Sequence, residues 1–333
     1  MKIEGLFLAI FLTMVFITTI TLKILIPILA SKKMGQRILE IGPRWHKSKE
    51  GTPTMGGVSF VFATVISYLI FLFIAKDEID RKQLICVLNI VVYALLNAMI
   101  GIIDDFAKLR KAKNEGLTPM QKLLFQGISA ILLLISLHFS VGISTRLYIP
   151  FFDAYLELGA FYYVFCFLLL CGVVNSVNLT DGLDGLASSV VATVGIFFSV
   201  IAITVTKDYA LAFFGAILLG GSLGFLVYNF YPARVFMGDT GSLFFGALVV
   251  SISFLLNNPL LVLLYGFIFI CEAGSVILQV LYFKLTKGKR LFKMAPLHHH
   301  LEKCGLSEIK IVSIFTLINA LFCIFAFWGI GNL

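Results

Sequence analysis

The chain of 333 residues is 59% hydrophobic and 13% charged, with a formal net charge of +8. Together with a mean hydropathy of +1.00, this excludes a soluble globular protein and a disordered one and leaves an integral membrane protein. The basic excess reads as a topological signal with some attraction to anionic lipid, not as a nucleic-acid surface.

Nearly uncharged stretches rich in Phe, Leu, Ile and Val recur at about the 20-residue length that a bilayer demands of a helix. Ten are predicted, at about 5–30, 54–75, 84–103, 122–141, 157–177, 186–206, 209–230, 239–256, 260–283 and 310–331. None shows the ten-residue alternation of a membrane barrel strand, so the spans are helices. The fold class expected is an all-α integral membrane protein, a single polytopic domain over 1–333.

The first run follows only Met1-Lys-Ile-Glu-Gly5, and its basic cluster at Lys32, Lys33 and Arg37 comes after it. That is the reverse of a cleavable signal peptide, so the run is expected to stay as an anchor. The next connection ends in Lys49-Glu-Gly-Thr-Pro-Thr-Met-Gly-Gly57. Thr52 before Pro53 has the form of a capped helix start. Helix two would then turn its N–H groups towards Lys49, as an anion seat or simply as a capped helix beside a loop lysine.

The third run stops at Gly101-Ile-Ile-Asp-Asp-Phe-Ala-Lys108. On a continuing helix Asp104 and Asp105 lie about 100° apart and Lys108 one turn on. The pair is either a solvated rim or part of a site. Thr118-Pro119 is a second capped start, with Lys122 in its first turn, where a cation is unfavourable unless an anion joins it. The connection 142–157 reads as a short loop without chemistry.

Helix five runs into Asn175-Ser-Val-Asn-Leu-Thr-Asp-Gly-Leu-Asp-Gly185. Asp181 and Asp184, each before a glycine, sit in a turn too short and apolar for a solvated loop. Glycine there permits close approach of backbone to a ligand, while the alternative makes Asp184 a helix cap and Asp181 an Asx-turn. Asp239, in Met237-Gly-Asp-Thr-Gly-Ser242, is an N-cap or a metal-facing carboxylate. The run after it is short for a span, which sets Asp239 slightly below the membrane surface, where an unpaired carboxylate is costly.

Glu272 is the only carboxylate well inside a run and is open between function and a bond to a neighbouring helix. Lys284–Lys293 reads as an amphipathic segment on the inner leaflet. In His298-His299-His300 adjacent side chains diverge, which favours hydrogen bonding to phosphate or sugar over a shared metal. His46 and His138 read as structural. Cys86, Cys166, Cys171, Cys271 and Cys323 fall in membrane runs and Cys304 in a basic loop, as buried small hydrophobes and one free thiol.

Nineteen Lys and Arg residues lie at one set of connections and six at the other. The positive-inside rule makes about 31–53, 104–121, 178–185, 231–238 and 284–309 cytoplasmic and puts both termini outside. Five of the nine aspartates, 104, 105, 181, 184 and 239, then gather at inner-face helix ends near Lys49, Lys108, Lys122 and the histidines. Carboxylates for Mg²⁺, cations and helix N-termini for phosphates and an adjoining bilayer describe phosphoryl transfer from a soluble donor to a lipid acceptor.

Four segments, Asn97–Lys108, Asn178–Gly185, Phe236–Ser242 and Ala295–Glu302, in this order, closely resemble the polyprenyl-phosphate phospho-sugar transferases. Gly51–Gly57 and the triple histidine resemble the branch that transfers phospho-N-acetylmuramoyl-pentapeptide. The resemblance implies ten transmembrane helices with both termini outside the cytoplasm. It implies a multi-pass protein of the bacterial plasma membrane that converts UDP-N-acetylmuramoyl-pentapeptide and undecaprenyl phosphate to lipid I and UMP with Mg²⁺. It leaves open a homodimer. By motif, Asp239 would ligand Mg²⁺ at the donor pyrophosphate, Asp104 and Asp105 would position or deprotonate the lipid phosphate, and His298 would contact phosphate. Asp181, Gly182, Leu183, Asp184, Asn229 and Phe236 would form the nucleotide pocket. Lys49, Thr54, Lys122 and Asn178 would line the donor site, with His299 and His300 beside it. The rival readings are the sister branch that uses UDP-N-acetylglucosamine, which the triple histidine disfavours, and a cation-coupled transporter. Against the transporter, the carboxylates lie at one face and no internal repeat is seen.

Overall fold

In a bilayer an apolar run satisfies its own peptide groups only by coiling, and among the described residues nine helices are long and apolar enough to cross. The computed structural model describes residues 2–32, 49–75, 77–110 and 116–330. His46 and most of the first basic connection, with Lys76, Lys111 and Lys113, lie outside the described residues. The nine are α1 (Ile3–Ser31), α2 (Val58–Ala75), α3 (Arg81–Arg110), α4 (Pro119–Ser140), α5 (Phe161–Thr180), α6 (Leu186–Val200, continued to Thr206), α7 (Tyr209–Asn229), α10 (Phe267–Leu285) and α12 (Glu308–Trp328). Between them lie the shorter α8 (Gly238–Ser251), α9 (Val262–Tyr265) and α11 (Leu297–Lys303).

Burial sorts the helices into a centre and a rim. Every residue of α8 from Thr240 to Ser251 is buried, and α7 is buried on most sides. Outward-facing Phe73, Phe139, Leu168 and Leu321 are exposed, a surface suited to lipid and not to water. α3 and α5 pack along α8, while α1 and α6 pack along α7. Close approach rests on missing side chains. A Cβ on Gly101 of α3 would fall 2.3 Å from the Asp239 carbonyl, and one on Gly246 of α8 would fall 2.8 Å from Val174 of α5.

Four sequence expectations change. Thr52-Pro53 does not start a helix; α2 begins at Val58. Residues 53–57 instead lie against the segment before α8, with Phe236 N–H on the Pro53 carbonyl and Gly56 and Gly57 N–H on those of Phe236 and Met237. Those long-range bonds take the Pro53 carbonyl and the Gly56 and Gly57 N–H groups that the first turn of a helix starting at Thr52 would have used. The chain is also not wholly α. Arg146–Ile149 (β1) and Ala154–Glu157 (β2) form an antiparallel hairpin, Arg146 opposite Glu157, so the fifth helix starts at Phe161 and not at 157.

The run 260–283 is broken at Gly266 into α9 and α10. Asn319 of α12 fills the break, accepting from Ile268 N–H at 3.2 Å and donating to the Tyr265 carbonyl at 2.9 Å. A side-chain amide from a neighbouring helix thus restores what the break removes. Finally, 288–296 carries no helix. Gln279 of α10 holds it through the Leu291 and Phe292 N–H groups. Other readings stand. Cys86, Cys166, Cys171 and Cys323 are buried and free, Cys271 is partly buried, Cys304 is exposed, and His138 bonds the Tyr163 hydroxyl at 2.7 Å.

Because Gly101 meets backbone, Gly101→Ala cannot be relieved by a rotamer change and should lower stability by about 1–3 kcal/mol. Gly274 of α10 has open space where a Cβ would go. Gly274→Ala should therefore leave the thermal midpoint in detergent unchanged or slightly raised, and equal midpoints for the two variants would contradict the packing at Gly101.

Candidate active site

The C-terminal ends of α3, α5 and α7 meet the N-terminal ends of α4, α6 and α8, and most of the residues singled out by sequence gather there. α3 continues through the Asp pair, so the two carboxylates diverge as helical spacing requires. Asp105 turns to α8. Its Oδ1 accepts the Asp239 N–H at 3.1 Å, and its Oδ2 accepts the Thr240 N–H at 3.0 Å and the Thr240 hydroxyl at 2.7 Å. α8 has no capping side chain of its own, so Asp105 supplies the cap from another helix. Gly238 makes room: its φ is +69°, and a Cβ there would fall 2.6 Å from Asp105 Oδ2 and 3.0 Å from Thr54 Oγ1.

Relieved of capping, the Asp239 side chain faces the site. Oδ2 receives Lys108 Nζ at 2.8 Å and Lys122 Nζ at 2.5 Å. Oδ1 receives Asn178 Nδ2 at 2.9 Å, and that amide also donates to Ser242 Oγ at 2.7 Å. Asp104 is buried, with Oδ1 on the Leu117 N–H at 2.6 Å and Oδ2 2.7 Å from Lys108 Nζ and 3.2 Å from Lys122 Nζ. Lys122 stands in the first turn of α4, whose Thr118 and Gln121 form a reciprocal capping box. The anion that its position called for is a pair of carboxylates from α3 and α8.

Ligand atoms of Asp104, Asp105 and Asp239 lie within 4.8 Å of one another. Two ammonium groups face three carboxylates, so the cluster keeps a negative excess, and all its donors are hard oxygens. That set fits a divalent cation such as Mg²⁺ and not a thiophilic metal.

The residues expected around the nucleotide form a second group. Asp184 is buried and does not cap α6, which starts from Gly185 at φ +76°. Its Oδ2 accepts the Ala233 N–H at 2.9 Å, and its Oδ1 receives Lys49 Nζ at 2.7 Å. Lys49 also pairs with Glu308 of α12 at 2.5 Å, so it sits here and not beside the Asp239 lysines. Asn229 accepts from Gly185 N–H at 3.1 Å and donates to the Val235 carbonyl at 2.9 Å, tying the 181–185 turn to the 230–237 connection. Leu183 is buried, and Phe236 is half-buried. Burial, and then the charges of Asp239, Asp105 and Asp184, push the pKa of Asp181 up to about 8.

His298 is buried with its ring over Gly182, where a Cβ would fall 2.3 Å from Nε2. His299 pairs with Glu302 at 2.6 Å, and His300 accepts the Lys293 N–H at 3.1 Å. A cleft of about 500 Å³ opens beside them, lined by Tyr231, Glu302, Lys303, Leu306, Ser307, Glu308 and Ile309. Sequence reasoning gave no role to Glu308, left Glu272 open and counted Lys108 only among the cations near the aspartates. Lys108 was visible by its spacing from Asp104. Glu308 had no signal, because an acidic residue in a first helical turn reads as a dipole partner.

A polytopic helical bundle with carboxylates and lysines gathered at converging helix ends is the architecture of a membrane-embedded phosphoryl-group transferase, and the glycosyl transferase family 4 model matches residues 87–257. Residues 49–61 match the phospho-N-acetylmuramoyl-pentapeptide-transferase signature 1. Proteins of that name from Clostridium perfringens (strain 13 / Type A) and Listeria welshimeri serovar 6b are 45% and 43% identical to the chain, over 91% and 95% of its length and 92% and 91% of theirs. One from Clostridium novyi (strain NT) is 43% identical over 91% of the chain and 90% of its own. The chain belongs to the phospho-N-acetylmuramoyl-pentapeptide-transferase family.

Removing the Asp105 cap leaves two buried N–H groups without acceptors. Asp105→Ala should therefore cost about 2 kcal/mol or more of stability, seen as a lower thermal midpoint in detergent, and Asp105→Asn, which keeps a capping oxygen, should cost less. Equal midpoints for Asp105→Ala and the unmodified protein would contradict the capping role.

Proposed function

We propose that the chain transfers phospho-N-acetylmuramoyl-pentapeptide from UDP to undecaprenyl phosphate, releasing UMP and leaving lipid I in the membrane for peptidoglycan synthesis. It is a multi-pass protein of the bacterial plasma membrane. The short central α8 counts as the tenth span, both termini lie outside, and the site opens to the cytoplasm, as the basic connections indicate. The observation that carries the reading is the cluster of Asp104, Asp239, Lys108 and Lys122 at helix ends, in a chain of this family.

In the transfer, a lipid phosphate oxygen forms a bond to the donor phosphorus that bears the sugar, and the bond from that phosphorus to the UMP oxygen breaks. A phosphate monoester has lost most of its second proton at neutral pH, with a pKa near ~6, so the acceptor needs placement more than a base. Lys108 and Lys122 supply ammonium groups for the phosphate oxygens of both substrates. Asp104 fixes those two lysines and remains beside the acceptor phosphate. Asp105 holds α8, and through it Asp239, in register, while Asn178 sets the Asp239 rotamer. Mg²⁺, held by Asp239 with Asp104 adjacent, would neutralise pyrophosphate charge and ease departure of UMP. Asp181 to Asp184, Asn229 and Phe236 form the nucleotide pocket, Lys49, Thr54, Lys122 and Asn178 line the donor site, and His298 contacts a phosphate. The partners are the two substrates and the bilayer, and every residue named comes from one chain, so the reading requires no second copy.

Asp239→Asn keeps the size of the side chain and removes the charge that holds the metal. Since Asp105 and not Asp239 caps α8, the variant should fold and still lose Mg²⁺-dependent turnover by about 100-fold or more. Normal turnover at limiting Mg²⁺ would exclude Asp239 as the metal ligand.

Donor choice tests the activity itself. UDP-N-acetylglucosamine shares uridine, pyrophosphate and an acetamido sugar with the expected donor, so discrimination must come from groups that meet the anionic peptide arm. His299 and His300 already hold their segment. The exposed Lys287, Lys289 and Arg290 before it are the cations left to do so. The enzyme should use UDP-N-acetylmuramoyl-pentapeptide and not UDP-N-acetylglucosamine. Replacing these three residues by Gln should raise KM for the peptide donor by about 10-fold, in a salt-sensitive manner. Equal use of the two donors by the unmodified enzyme would overturn the assignment.

A further inference from the structure

Glu272 of α10 is fully buried within a membrane run. An ionised carboxylate there requires donors, and it has two from a single residue. Oε1 accepts the His298 main-chain N–H at 3.1 Å, and Oε2 lies 2.7 Å from His298 Nδ1. A carboxylate offers only acceptors, so the proton of that bond belongs to Nδ1. The other ring nitrogen, Nε2, is buried without a hydrogen-bond partner. It faces Gly182, where anything larger than hydrogen would collide with it.

We propose that Glu272 is a positioning residue for His298, holding the imidazole in the Nδ1–H tautomer with Nε2 presented to a phosphate oxygen at the 181–184 turn. This rests on the reading of His298 as a phosphate contact. With Nδ1 committed to Glu272, Nε2 is a bare acceptor in the neutral ring and a donor only when the ring takes a second proton. A phosphate anion arriving at Nε2 favours that proton, and the carboxylate behind the ring offsets the added charge. The contact is thus a cationic donor between two anions, stronger than a neutral imidazole would give. The 181–184 turn carries no side chain at Gly182 because the ring occupies its space.

A plain anchoring role, in which Glu272 only ties down α11 through the main-chain N–H, makes different predictions. In Glu272→Gln the amide oxygen can still take that N–H. The amide NH₂ then meets Nδ1 and drives the ring proton to Nε2. The chain has five histidines, so isotope-labelled histidine gives few ring-nitrogen resonances, and His298→Asn identifies the relevant one. The unmodified protein should show a protonated Nδ1 at His298, and Glu272→Gln should show the Nε2–H form. Glu272→Asp keeps the charge and should retain Nδ1–H.

In turnover, Glu272→Gln should lower kcat at least ~10-fold with donor KM within about 3-fold, Glu272→Asp should lie between, and Glu272→Gln should cost little more in a His298→Asn background. An unprotonated Nδ1 in the unmodified protein, an unchanged tautomer in Glu272→Gln, or the same fold-loss in both backgrounds would overturn the proposal. The tautomer is read without substrate. Failure of the donor assignment would therefore appear in turnover while the ring-nitrogen spectrum still decides the role of Glu272.

Discussion

The site depends on one contact between two helices, the seating of the α8 N-terminus on the carboxylate of Asp105. A helix that begins inside a membrane protein leaves N–H groups that no water can reach, and they must find acceptors. Asp105 provides two oxygens from α3, and Gly101, one turn earlier, lets the backbones come close enough for it to do so. The consequence is chemical. Because α8 is capped in trans, the Asp239 side chain is free of the role its position would otherwise impose, and it points at Lys108, Lys122 and Asn178 instead.

Charge balance explains why these residues tolerate one another. Asp104 and Asp239 share the same two lysines, so each ammonium group bridges carboxylates that would otherwise repel. The cluster retains a negative excess, which suits it to a divalent cation. Asp181 carries the same strain in another form, its pKa pushed up to about 8 by burial and by the neighbouring carboxylates. Lys49, Asp184 and Glu308 form a separate balanced group that joins the start of α12 to the 181–184 turn. The 181–184 turn and the Asp104–Asp239 cluster are thus held by different ion pairs.

The membrane class, the positions of most helices and most of the residues that gather at the candidate site were legible in the chain. Hydrophobic run length is a local property, and a bilayer permits little besides a helix for such a run. Asp104, Asp105, Asp181, Asp184 and Asp239 stood out because carboxylates are rare and costly at membrane depth. Expectations failed where distant backbone supplied a partner. Thr52-Pro53 carries a valid local capping signal, but the 236–237 carbonyls take the N–H groups of Gly56 and Gly57. Run 260–283 has the composition of one helix, yet Asn319 of α12 stabilises a break at Gly266.

By itself the sequence determined the solvent of the fold, the helical class and which residue types would carry the chemistry, because each follows from composition and spacing along one chain. Only the tertiary structure decided how the paired carboxylates divide their work, Asp105 to the end of α8 and Asp104 to the lysines. It alone gave Lys49 to Asp184 and Glu308, and Glu272 to His298. These partners are 26 to 259 residues apart. Adjacent aspartates are equivalent in a sequence and become different only when a second helix end, with unmet N–H groups, is brought against one of them.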